Sequence, residues 1–317
     1  MSIRVFGSLA EVPGDFGPCA LTIGNFDGVH AAHRRIMERA VAMARCEGWK
    51  AAVLTFDPHP KRVLAPERAP RLMTTVAERC RLIGVVGIEE MAVLPFTMDV
   101  ARLSPDEFVE RVLVGKLQAR AVLVGENFRF GAKAAGDTWT LRELGRRFGF
   151  ETIVMPPVLR RGRVVSSSEI RRLIGRGKVY EAGRMLERPH FVEGAVVHGH
   201  GIGGKQTVPT LNLETDSETP PANGVYVTRT TDLDGARRWR SITNIGVRPT
   251  FGGEGITIET FLIDPLDGET PARIRVEFLH RVRDERKFES PEALKAQIFR
   301  DVKQAQAWFR RTAGLPI

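Results

Sequence analysis

The sequence predicts an α/β doubly wound parallel sheet followed by an antiparallel β-barrel with a C-terminal helix. Three observations predict it. At 317 residues the chain has room for about two domains. Its first half alternates short apolar runs with helix-like stretches, the βαβα spacing of a parallel sheet. Near Arg188-Pro189 the alternation stops, and strand-like runs then follow one another across turns rich in Gly, Pro, Asp and Asn, as in an antiparallel barrel. The expected domains are 1–185 and 186–317.

Taken in order, the first domain offers strands at 20–24, 51–56, 91–95, 121–125 and 151–155. None alternates polar with apolar residues, which fits strands covered on both faces. Thr75 and Glu78 have the spacing of a capping box, and Ser104-Pro105-Asp106-Glu107 sets cap, proline and acid at a helix start. The second domain offers strands at 191–198, 208–213, 225–230, 240–245, 257–263 and 273–281. A last helix runs from the Ser290-Pro291-Glu292 cap to Arg311, with Leu294, Ile298, Val302, Ala305 and Phe309 as its apolar face.

Composition removes several classes. A chain 43% hydrophobic and 27% charged can build cores and is not a disordered tail. No apolar run approaches the roughly 18 residues of a membrane helix, and no signal-peptide core follows Met1, so the expected location is cytoplasmic with no membrane partner. Cys19, Cys46 and Cys80 are odd in number and far apart, which argues for reduced thiols and against a disulfide scaffold or a cysteine-built zinc site. The net charge of +9 lies wholly in 1–185, which has 29 basic and 20 acidic residues against 18 and 18 in the remainder. Seven basic residues crowd into 160–178. Such a cluster suits polyphosphate or nucleic acid, or is a solvated face. With no helix-turn-helix, zinc-finger or RNP pattern and only 7% aromatics, no nucleic-acid partner is expected. Oligomeric state is not readable.

The strongest local pattern is Gly24-Asn25-Phe26-Asp27-Gly28-Val29-His30-Ala31-Ala32-His33, between the first strand and the first helix. Ligands bind at the carboxyl ends of strands in such sheets. His30 and His33 share one face of the first helical turn, where free N–H groups and the helix dipole already favour an anion. They read as donors to phosphate oxygens; a metal pair or two surface histidines is the plainer alternative.

This stretch resembles the H-x-G-H signature of the nucleotidyltransferase superfamily, with Ala32 replacing glycine. Val165-Ser166-Ser167-Ser168-Glu169-Ile170-Arg171 resembles its second signature, I-S-S-T-x-x-R, with Ser168 in place of threonine. Thr55-Phe56-Asp57-Pro58-His59-Pro60 and Val124-Gly125-Glu126-Asn127-Phe128-Arg129-Phe130-Gly131 look like the flavin-specific branch, whose sheet is Rossmann-like. In the second domain Pro209-Thr210-Leu211-Asn212 resembles the P-T-A-N motif of riboflavin kinases. Asn223-Gly224-Val225-Tyr226, the run from Asn244 to Phe251, Ile258-Glu259-Thr260-Phe261-Leu262 and Arg283-Asp284-Glu285-Arg286-Lys287-Phe288 follow in family order. The chain from about residue 20 to 310 is thus similar to the bacterial bifunctional riboflavin kinase/FAD synthetase family.

The resemblance implies two reactions: ATP-dependent phosphorylation of riboflavin to FMN, then adenylylation of FMN to FAD with release of pyrophosphate. It implies His30, His33 and Arg171 as catalytic groups of the second reaction. Gly24, Asn25, Phe26, Asp27, Gly28, Asn127, Ser166, Ser167 and Ser168 then contact nucleotide or flavin. It implies Glu259 as general base of the first reaction, with Thr210 and Asn212 holding Mg²⁺ and ATP, and Gly203 and Lys205 contacting phosphate. By strand alternation alone, Glu259 could equally face solvent. Residues 199–206 nearly spell a Walker A loop, but Gln206 stands where Ser or Thr should bind the ion, and strand rather than helix follows. Gln206, Thr207 and Val208 also depart from the family's Leu-Gly-Phe. The open alternatives are a nucleotidyltransferase for another phosphorylated acceptor, and a nucleic-acid binder using the basic domain.

Overall fold

A computed structural model describes residues 3–197, 210–235, 237–250, 253–286 and 288–313. Internal contacts divide the chain into Met1–Ser167 and Ser168–Ile317. The first unit runs β1 (Arg4–Phe6), β2 (Cys19–Ile23), α1 (Ala31–Glu47), β3 (Lys50–Asp57), α2 (Pro60–Leu64), α3 (Val76–Val86) and β4 (Glu90–Pro95). It continues through α4 (Met98–Arg102), α5 (Pro105–Glu107), β5 (Ala119–Gly125), α6 (Thr138–Phe148), β6 (Glu151–Met155) and a small hairpin of β7 (Leu159–Arg160) and β8 (Arg163–Val164).

Six strands form one parallel sheet in the order β1-β4-β3-β2-β5-β6. The five predicted strands are present. The sixth, β1, is three residues long and mostly exposed, so it leaves no apolar run to read. Each central strand is buried on both faces, which is why its sequence does not alternate. Leu21, Leu54, Leu94 and Val122 join one core, while Ala20, Val53, Met91 and Leu123 join the other. Each large side chain so buried contributes roughly 1.5–3 kcal/mol. Strand order reverses between β2 and β5, the switch point where doubly wound sheets bind ligands. The predicted capping box forms at Thr75–Glu78, and the predicted cap Ser104 forms a second one with Glu107.

The second unit contains α7 (Ser167–Ile174, but for its first residue) and α8 (Val179–Leu186). After them come β9 (His190–Val197), β10 (Thr210–Glu214), β11 (Gly224–Asp232), β12 (Arg238–Thr250), β13 (Gly253–Leu262), β14 (Arg273–Arg283) and α9 (Pro291–Thr312). The strands close into a barrel in the order β10-β13-β12-β11-β14-β9, every pair antiparallel. Leu211, Leu213, Tyr226, Ile245, Ile258 and Phe278 fill its interior, joined by Val179 of α8. The interior hydroxyls are satisfied by one another: Thr228 bonds Ser241 and Thr243 at 2.8 Å, and Thr243 bonds Thr260 at 2.9 Å.

The alternate residues Val225, Val227 and Ile242 face outward and pack on Ala305 and Trp308 of α9. The expected apolar face of this helix holds at Ala305 and Phe309 and needs correction in its first half. Its buried positions are Gln297, Asp301, Ala305 and Trp308, while Leu294 is exposed. A polar cluster directs the first half: Asp301 pairs with Arg283 at 2.8 Å, and Gln297 donates to Asp301 at 2.6 Å. An ion pair in the barrel wall outweighs hydrophobic periodicity there.

Candidate active sites

In the first unit the chain leaves β2 through a loop built from left-handed turns. Phe26, Gly28 and Val29 have φ of 48°, 79° and 41°. A β-branched residue at positive φ is strained and needs outside support. The Phe26 ring folds back over Gly24, where a Cβ would stand 3.1 Å from it. Asp27 is 3% exposed, and its Oδ1 accepts hydrogen bonds from the N–H groups of Met73 and Thr74 at 2.9 and 3.1 Å and from the Thr74 hydroxyl at 3.2 Å. That hydroxyl in turn accepts from the Gly28 N–H at 3.0 Å. Ser167, the last residue of the first unit, donates through its Oγ to the Asp27 carbonyl at 3.0 Å.

His30 is the N-cap of α1, its Nδ1 accepting from the His33 N–H at 3.4 Å. With Nδ1 an acceptor, a neutral His30 carries its proton on Nε2. The two imidazoles stack with centroids 3.5 Å apart, and Phe26 packs edge-on against His33 at 5.1 Å. Burial, and then neighbouring His30, hold the His33 pKa well below the usual imidazole range, so this pair is not two solvated surface histidines. Among the described residues, His33 Nδ1 and Asn25 Oδ1 are buried without a hydrogen-bond partner. Orphaned polar atoms beside a helix N-terminus at the switch point fit a polar ligand. Asn127 is exposed just after β5, on the other side of that switch point. Ser168 and Arg171 lie on α7. Neighbouring Arg172 is held by Glu169 through two bonds of 2.7 and 2.5 Å.

In the second unit the strand register supplies the neighbours of Glu259. Glu259 pairs directly with Asn212 on β10 and with Asn244 on β12. Their neighbours Leu211, Ile245 and Ile258 point into the barrel, so all three polar residues occupy the outer face in one row. Directly opposed side chains lie about 4.5–5.5 Å apart. Thr210, two residues from Asn212, shares that face and is exposed. Sequence reading missed Asn244 as a flank of Glu259, and missed Thr74 as the support of Asp27. Only strand register and the return of the α3 cap could have supplied them. Gly203 and Lys205 lie outside the described residues. A cavity of about 570 Å³ lies between β11, β14 and α9, lined by Val227, His280, Val282 and Trp308 among others. None of the candidate residues lines it, so its size does not mark the chemistry.

Oxygen donors suit a hard divalent ion that keeps waters and substrate phosphates as its other ligands. The Thr210 hydroxyl and Asn212 amide are such donors, and no cluster of three or more His, Cys, Asp or Glu that could hold a metal exists among the described residues.

An open α/β sheet with buried polar groups at its switch point, together with a barrel that sets a carboxylate between two amides, fits a transferase of phosphorylated groups. Comparison with known proteins makes the class specific. A family model for FAD synthetase matches residues 13–169, and one for riboflavin kinase matches 186–309. The bifunctional riboflavin kinase/FMN adenylyltransferase of Pseudomonas fluorescens is 35% identical over 290 residues, 91% of this chain and 92% of that protein. The Escherichia coli K12 enzyme of the same name is 31% identical over 310 residues, 98% of each chain. A solved structure titled as a macrolide-efflux protein from Streptococcus pneumoniae superposes with a TM-score of 0.87 at 29% identity, covering 97% of this chain and 100% of that one. The chain belongs to the bifunctional riboflavin kinase/FMN adenylyltransferase family. It is a transferase with both activities, and enzymes of this family use ATP and a divalent metal with riboflavin, FMN and FAD as substrates and products. The alternative acceptor and the nucleic-acid reading find no support in these comparisons. No helix among the described residues is long and apolar enough to cross a membrane.

Proposed function

We propose that the two reactions are divided along the chain, FMN adenylylation in 1–185 and riboflavin phosphorylation in 186–317. The observation that carries the first assignment is the stacked His30–His33 pair at the switch point; the row Asn212–Glu259–Asn244 carries the second.

In the kinase step Glu259 accepts the proton of riboflavin's primary hydroxyl. The hydroxyl oxygen bonds to the γ-phosphorus of ATP as the bridge to the β-phosphate breaks, leaving ADP. Thr210 and Asn212 would hold Mg²⁺ with the ATP phosphates, which supplies charge neutralisation. Gly203 and Lys205 are proposed to touch phosphate as well. In the second step an FMN phosphate oxygen attacks the α-phosphorus of another ATP, and the bond to the β-phosphate breaks to release pyrophosphate. FMN phosphate is already an anion near neutral pH, its second pKa being about 6, so no base is needed. Alignment and donors suffice. His30, His33, Ser168 and Arg171 supply the donors, and Gly24–Gly28, Asn127, Ser166 and Ser167 shape the nucleotide and flavin contacts. Asp27 acts through Thr74, since its carboxylate oxygen is turned to the protein. We also place the enzyme in the cytoplasm, with small molecules rather than nucleic acid or membrane as partners. Its three free cysteines support this.

The test is one chromatographic assay run from riboflavin and again from added FMN. Glu259→Gln should slow FMN formation about 10²–10⁴-fold and leave FMN conversion to FAD intact. His30→Ala with His33→Ala should do the reverse, slowing FAD formation by at least about 10²-fold. Equal loss of both steps in either variant, FMN formation from riboflavin and FAD formation from added FMN, would defeat that assignment.

A further inference from the structure

Arg79 sits on α3 and is 3% exposed, a costly place for a charge unless its donors are used. Its Nη1 donates to the Asn25 carbonyl at 2.8 Å and to Thr55 Oγ1 at 3.3 Å, and reaches the Phe56 carbonyl at 3.5 Å. Its Nη2 stands 3.9 Å from an Asp57 carboxylate oxygen. Thr55 Oγ1 also donates to the Asn25 carbonyl, at 3.3 Å. One planar guanidinium therefore ties the loop leaving β2 to the last three residues of β3. Asn25 is followed by the left-handed residues Phe26, Gly28 and Val29, and then by His30. Strained backbone of this kind persists only where its surroundings over-determine it. A leucine would fill an α3 core position at lower cost; what it lacks is a rigid fork for carbonyls on two segments.

We propose that Arg79 is a positioning residue for adenylyl transfer: it fixes the Asn25 carbonyl against the carboxyl end of β3, so that the strained loop presents His30 and His33 to the anionic substrates. This rests on the site reading above, and every group it uses belongs to the first unit. The Arg79 side chain reaches no reacting atom itself; its effect is on alignment, the quantity on which a reaction without a base most depends.

The experiment compares Arg79→Met and Arg79→Lys in the full chain, from riboflavin and from FMN, with urea unfolding followed by tryptophan emission. Arg79→Met should lower kcat for FAD formation about 10²-fold, with the KM values for ATP and FMN within about threefold of wild type, since positioning and not ground-state binding is lost. Arg79→Lys should recover part of that rate, keeping the charge without the fork. FMN formation should be unchanged in both. A wild-type rate of FAD formation in either variant overturns the proposal. So does a rate that falls only in proportion to the folded fraction in both, which would make Arg79 a stability residue; Arg79→Lys keeps this decidable should Arg79→Met not fold. The His30/His33 double variant separates the two levels. FAD formation kept there defeats the site, whereas FAD formation lost there but at the wild-type rate in either Arg79 variant defeats only the clamp.

Discussion

His190 begins β9 with 3% of its surface exposed, its Nε2 2.9 Å from the Thr219 carbonyl. Burial pushes its pKa down to about 4, outweighing the hydrogen bond to Thr219, which favours the charged form; Arg188 adds to the depression. The unfolded chain titrates near 6.5. Below that pH the unfolded state therefore binds a proton that the native state refuses, and stability falls as pH drops from about 6.5 to about 4. The full loss is about 3 kcal/mol. His280 shifts in the same direction, through burial and then Arg311, but it is exposed and contributes less. Urea midpoints of the barrel unit, followed by Trp239 and Trp308 emission between pH 7 and pH 4, should show the decline. His190→Gln should flatten most of it, and an unchanged slope would mean the proton is taken up elsewhere.

At the scale of elements, the first half of α9 meets the barrel through a polar cluster, while Ala305, Trp308 and Phe309 make the apolar contact in its second half. Asp301 is 2% exposed and meets the Arg283 Nε and Nη2 at 3.0 and 2.8 Å. Arg283 belongs to β14, and its register partner Val225 also pairs with Asn244 of the proposed kinase row. Removing one member strands the other, so Asp301→Ala should destabilise the barrel unit by about 3 kcal/mol. Combining Asp301→Leu with Arg283→Met should return most of that, because a well-packed apolar pair avoids the desolvation of both charges. Paired denaturation curves test this; equal loss in the single and double variants would show that the pair stabilises rather than merely fits.

At the scale of the molecule, the proposed boundary at 185 meets a structural complication. The riboflavin kinase model begins at residue 186, yet Val179 of α8 is 1% exposed within the barrel's own core. A fragment of residues 168–317 should therefore fold and phosphorylate riboflavin without making FAD. A fragment of residues 186–317 loses the Val179 contact and should be less stable by roughly 1.5–3 kcal/mol. Comparing their thermal midpoints and FMN yields checks both. Equal stability would mean that α8 only covers the barrel, and FAD from either fragment would defeat the division of labour.

Both fold classes were legible because they follow from one-dimensional rules. Strands covered on two faces read as unbroken apolar runs at β2 to β5, and the antiparallel half reads as runs parted by turns without helices. The His30–His33 spacing and the Thr75 and Ser104 caps are likewise local, since residues three apart on a helix meet whatever lies around them. Tertiary structure alone decided the rest. Glu259 has a partner row only because β10 and β12 come to lie on either side of β13, and sequence alternation cannot choose register. Asp27 is a latch rather than an open carboxylate because Thr74, 47 residues later, returns to it. The first half of the α9 face turned polar for the same reason: Arg283 arrives from another strand, and a buried charge must be met by whichever helix packs over it.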